Sequence, residues 1–169
     1  MAIPVLMAIS LMWIPVGLLN LGKGEAKGTG ALTLMVGTVV IIGAIIQATI
    51  FKDPWIGALL FTYGLFYSIV GYALFTEQKD IKFVGNASIT VGLISIGYII
   101  LCLAGPAALR SNFLALACAG YLVLYIMVWG NAYGWLSGKI TGVSLIVWTF
   151  VGLFVPAFWL VATGQLPWA

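Results

Sequence analysis

WIGALLFTYGLFYSIVGYALF, residues 55–75, contains no charged side chain and lies between Lys52-Asp53 and Glu77. Its length matches the ~20 residues a helix needs to cross ~30 Å of hydrocarbon. Apolar residues fall on every face, so the predicted helix is surrounded by lipid or by other apolar helices. The run is continuous and too long for a strand of a membrane β-barrel, which alternates. The rest of the chain repeats the pattern. All seven basic and four acidic side chains fall between apolar stretches, which run 2–21, 31–51, 55–75, 83–103, 113–136 and 143–162. At 63% hydrophobic and 7% charged, the chain is far from the composition of a soluble domain, which carries roughly 25% charge. It reads as an all-α integral membrane protein, a single bundle of six transmembrane helices over residues 1–169.

The first stretch has no basic residue before its apolar run, and the first positive charge, Lys23, comes after it. It therefore reads as a retained span and not as a secretory signal. Lys23, Lys27, Lys79, Lys82 and Lys139 share one side of a six-span arrangement, against Lys52 and Arg110 on the other. Basic loops stay cytoplasmic, so both termini are expected outside. Gly130, Gly134 and Gly138, with Ala115 and Ala119, recur every four residues. In the fifth span that spacing would let helix backbones approach closely.

Several functions are disfavoured. Proton- and ion-coupled carriers place ionisable groups at membrane depth; none lies inside an apolar stretch, and histidine is absent. No acid, base or nucleophile pair suggests catalysis. Cys102 and Cys118 occupy separate stretches without metal-ligand spacing, so they read as small packing residues. The basic residues are scattered and form no nucleic-acid patch. No metal or cofactor is expected.

Trp55, Tyr72, Trp135 and Trp168 fit the aromatic belts of the two interfaces. Trp13, Tyr63, Tyr67, Tyr121 and Tyr125 instead fall within about two turns of the midplane. Tyr63/Tyr67 and Tyr121/Tyr125 are i,i+4 pairs, each on one helix face. A buried tyrosine hydroxyl needs a partner that lipid cannot supply, so these faces point at other helices or at a lumen. Periodicity leaves both readings open: core packing, or an aromatic slot for a small, flat, neutral molecule. Asn20, Asn86 and Asn131 lie near inner helix ends, and an amide in apolar surroundings requires partners. Ser10, Thr62, Ser68 and Thr149 lie deeper, where hydroxyls commonly bond their own i−4 carbonyl. Pro4, Pro15 and Pro156 interrupt the first and last spans and kink them or free carbonyls.

Five segments carry a family resemblance: PVGLLNLGK (15–23), LTLMVGTV (32–39), LLFTYGLFYS (59–68), LYIMVWGNAYGWLSGKITG (124–142) and VGLFVPAFWL (151–160). Together with the span count, they resemble the AmiS/UreI family of urea channels and short-chain amide transporters. The resemblance implies a hexameric ring with one pore inside each six-helix protomer. It also implies constrictions made by aromatic residues of helices 3 and 5. Tyr63 and Tyr67 match the helix 3 aromatics. Tyr121 and Tyr125 stand where the family has a tryptophan pair, and Trp129 is a nearby alternative. Acid-gated members carry histidine-rich outer loops, whereas the corresponding gap here is Lys52-Asp53-Pro54. A membrane glutamate of those members aligns with Trp148 or Thr149 in LIVWTFVG (145–152).

The expected function is a passive, pH-independent channel for urea in a bacterial inner membrane, supplying a cytoplasmic urease. Its expected pore residues are Trp13, Asn20, Tyr63, Tyr67, Tyr121, Tyr125, Trp129, Asn131, Trp148 and Thr149. A short-chain amide channel beside an amidase and a non-transporting scaffold subunit are the alternatives. Lipid and further copies of the chain are the expected partners.

Overall fold

A computed structural model describes residues 2–164. The helices are α1 (Ala2–Asn20), α2 (Ala26–Thr49), α3 (Pro54–Phe75), α4 (Lys82–Ala104), α5 (Asn112–Ala132), α6 (Gly138–Trp148) and α7 (Val155–Thr163). A π-helical turn, Thr149–Phe154, joins α6 to α7. Helices α2, α3, α4 and α5 and the run Gly138–Thr163 are each long and apolar enough to cross a membrane; the apolar part of α1, Val5–Asn20, is shorter. Large side chains such as Leu11, Met35, Leu93, Leu103, Phe158 and Val161 point outward and are exposed. Lipid is the solvent that tolerates them.

Local chemistry sets the helix ends. Glu25 accepts a hydrogen bond from the Gly28 amide at 2.7 Å and caps α2, so α2 starts at Ala26 and not at residue 31. Asp53 caps α3 ahead of Pro54, Ser111 caps α5 and Ser137 caps α6. Such caps satisfy amide groups that have no partner within the helix. Helix α5 ends at Ala132 rather than 136 because Gly134 is left-handed, with φ 75°. The Trp135 amide then closes back on the Gly130 carbonyl at 2.8 Å. This turn corrects the sequence reading of Gly130, Gly134 and Gly138 as one packing stripe: they belong to α5, a turn and α6.

Helices α2 and α3 approach each other closely along their backbones. A methyl group built on Gly64 would lie 3.1 Å from the Gly37 carbonyl oxygen, and one on Gly37 would lie 3.0 Å from that of Gly64. One on Gly71 would meet the Gly30 carbonyl oxygen at 3.0 Å, and one on Gly57 the Ala44 carbonyl oxygen at 3.0 Å. The small residues therefore face each other at three levels, seven residues apart on both helices. A seven-residue spacing keeps one seam in contact along a helix pair.

Helices α4 and α5 form the second extensive pair, and α1 packs against α2, α6, the π turn and α7. This arrangement leaves α1, α3, α5 and α6 facing a shared axis. At one end of the bundle Lys27 pairs with Glu77 at 3.4 Å, both exposed and so worth little to stability.

Candidate functional site

The axis is filled by aromatic side chains from three helices. Trp13 of α1, Tyr63, Phe66 and Tyr67 of α3, and Tyr121 and Tyr125 of α5 are all at most 6% exposed. Trp13 meets Tyr121 edge-on at 5.3 Å between ring centres. Tyr63 lies 5.1 Å from Tyr121 and 5.6 Å from Tyr125, and Phe66 lies 5.1 Å from Tyr125, nearly perpendicular. Tilted and edge-on contacts of this kind suit the ring quadrupoles. The five midplane aromatics singled out in the sequence are thus brought together. Phe66 joins them unforeseen; its position between Tyr63 and Tyr67, one helical turn below Val70, was the available signal.

The tyrosine hydroxyls fall into different situations. Ser95 Oγ donates to the Val91 carbonyl at 3.0 Å. Its contact with Tyr63 Oη at 2.9 Å is therefore one in which Tyr63 donates. The hydroxyls of Tyr67 and Tyr125 are buried and make no hydrogen bond of ordinary geometry, but they face each other, and that of Tyr67 also faces Trp13. Both residues lend ring surface to an apolar cavity of about 50 Å³ with Trp13, Phe66 and Tyr121. Opposite stability effects are expected on deleting single hydroxyls. Tyr63→Phe loses a hydrogen bond and about 1 kcal/mol. Tyr67→Phe and Tyr125→Phe remove a buried hydroxyl that makes no hydrogen bond of ordinary geometry, so their unfolding temperatures in detergent should match or exceed the parent's.

A second cavity, of about 110 Å³, continues from the first toward the lysine-rich end of the bundle. The two share Val16, Val70, Val128 and Leu145 as lining. Asn20 and Asn131 line this inner cavity together with Thr141. Neither cavity has a charged residue in its lining.

The remaining sequence candidates lie elsewhere. Trp129 packs on Trp135 at 4.7 Å and Tyr133 at 5.9 Å, forming an aromatic cluster at the end of α5. Trp148 presses onto Gly120 of α5 and borders a groove outside the axis. Thr149 is fully buried, but its hydroxyl donates to the Leu145 carbonyl at 2.8 Å. Thr62 and Ser68 likewise bond their own i−4 carbonyls, and Ser10 bonds the Met7 carbonyl. Asn86 accepts from the Tyr133 hydroxyl at 2.7 Å near the lysine-rich end. Pro15 lies inside α1, and Pro156 follows the π turn at the start of α7. Trp55 stacks on Tyr98 at 4.0 Å at the opposite end; Trp168 lies outside the described residues.

No protein-family model matches the sequence, and no curated protein matches it. Solved structures do. The structure of the Helicobacter pylori urea channel in its closed state, from electron cryomicroscopy, superposes with a TM-score of 0.83 at 17% identity, covering 98% of this chain and 100% of that one. The fold is that of a urea channel. A crystal structure of the H. pylori urea channel agrees, with a TM-score of 0.78 at 18% identity and the same coverage. On this urea-channel fold the aromatic cluster, the two cavities and the α2–α3 seam are features of the present sequence.

Proposed function

We propose that this chain is a passive channel for urea, with six spans, both termini outside and one pore within each protomer of a hexameric ring. Its proposed site is the bacterial inner membrane, where it would feed a cytoplasmic urease. The observation that carries the reading is a small apolar cavity walled by aromatic rings that continues into an inner cavity bordered by Asn20 and Asn131. Ring faces suit a flat, neutral solute, and the amides of Asn20 and Asn131 at the inner cavity can replace hydrogen bonds it loses on leaving water. A dehydrated ion would find no compensating charge there.

Trp13, Tyr63, Tyr67, Tyr121 and Tyr125 form the slot in this proposal, with Phe66 as a further wall. Asn20 and Asn131 belong to its inner end. Trp129, Trp148 and Thr149 act as packing residues. A short-chain amide channel beside an amidase is the second reading, favoured by the same lining, because its aromatic rings and side-chain amides suit the amide group common to both solutes.

The test is stopped-flow uptake of urea and acetamide into proteoliposomes at about pH 7.5 and about pH 5. Histidine is absent, and it is the residue that titrates in this window at its ordinary pKa. Urea flux is therefore expected to be fast and equal at both values. Flux confined to acid pH would overturn pH independence. A lack of flux of either solute from intact oligomers would favour a scaffold.

A further inference from the structure

Thr141 departs from the other serine and threonine hydroxyls at full burial, those of Thr33, Ser88, Ser95 and Thr149. Thr33, Ser95 and Thr149 each donate to the carbonyl four residues earlier. Thr141 is 1% exposed, and its Oγ1 has no partner. The carbonyl it would use belongs to the N-cap residue Ser137, which already accepts from the amides of Ile140 and Thr141. Thr141 borders the 110 Å³ inner cavity, its hydroxyl buried and free of any hydrogen bond.

Two amides converge on the same place. Asn20 donates from Nδ2 to the Val16 carbonyl at 3.0 Å, which leaves Oδ1 as its acceptor. A methyl built on Gly138 would lie 3.3 Å from Asn20 Oδ1 and 3.8 Å from Asn131 Nδ2. The first turn of α6 thus gathers an acceptor from α1, an amide from α5 and a hydroxyl of its own. Asn131 offers donors as well as an acceptor, and Thr141 can do either.

We infer that Thr141, Asn131 and Asn20 form a second binding station, a polar one, that receives a small neutral amide on the lysine-rich side of the aromatic slot. The station rests on the channel reading above. Its donors and acceptors match a molecule that carries a carbonyl oxygen beside N–H groups. A solute leaving the apolar slot is there rehydrogen-bonded by protein before it meets bulk water.

The test compares wild type, Thr141→Val and Thr141→Ser in proteoliposomes, with urea and water permeabilities measured side by side. Valine keeps the shape and removes the hydroxyl. Because that hydroxyl has no partner, the fold should hold, as a thermal unfolding curve in detergent will show. Thr141→Val is expected to lower urea permeability about fivefold, the loss of one hydrogen bond, with water permeability unchanged. Thr141→Ser is expected to retain the wild-type value. Wild-type urea flux in Thr141→Val would overturn the station while leaving the channel intact. Absent flux of urea and acetamide in wild type would overturn both.

Discussion

Tyr125→Ala is expected to raise the permeability of amides larger than urea by about tenfold or more relative to urea itself. The ring of Tyr125 touches those of Tyr63 and Phe66 and walls the 50 Å³ cavity. Removing it deletes the steric wall. A single methylene in a fitted pocket discriminates by about 10–200-fold, so removal of a whole ring should relax size selection at least to the lower end. Butyramide against urea, measured in proteoliposomes, is the useful pair. Ring deletion in a packed interior also costs about 3–5 kcal/mol. Tyr125→Leu, which retains apolar bulk, separates the two effects, because it should fold well and lie between parent and alanine in selectivity. An unchanged butyramide-to-urea ratio in both variants would remove Tyr125 from the slot.

The second large effect concerns the seam between α2 and α3. Gly64→Leu is expected to abolish stable folding, with a loss of about 3 kcal/mol or more. The first atom of the new side chain would already sit 3.0 Å from the Ile41 amide nitrogen and 3.1 Å from the Gly37 carbonyl oxygen. Both are backbone atoms, which cannot swing aside as the end of a side chain does. The helices must separate, and in lipid close packing is what associates them. Separation would also displace Tyr63, Phe66 and Tyr67, which ride on the same helix. Gly97→Leu is the control. Gly97 is exposed, and a methyl there would meet nothing within 4 Å, so yield and unfolding temperature in detergent should match the parent. Equal behaviour of the two variants would contradict the seam.

The two predictions divide what was readable in one dimension from what was not. The small residues of the seam were visible as Gly57, Gly64 and Gly71, and as Gly30, Gly37 and Ala44. Yet glycines four apart at 130, 134 and 138 drew the packing assignment, because a four-residue spacing fits a single continuous helix. A left-handed turn at Gly134 broke that helix. Thr141 precedes the apolar run 143–162 and so reads as part of a turn in one dimension, whereas the Ser137 cap starts α6 at Gly138. The π turn Thr149–Phe154 had only Pro156 as its herald.

The sequence by itself determined the solvent of this protein, its all-helical architecture, the absence of charge along its axis and the aromatic character of that axis. Those properties follow from run length, charge position and residue type, which the bilayer's thickness and its penalty on charge impose directly on the chain. Only the tertiary structure decided which helices touch, which tyrosine hydroxyl is bonded to which neighbour, and that Asn20, Asn131 and Thr141 line one cavity. The physical reason is that an apolar helix face facing lipid and one facing another helix have the same composition. Their difference lies in the fit of backbone against backbone, and that fit exists only once the helices are assembled.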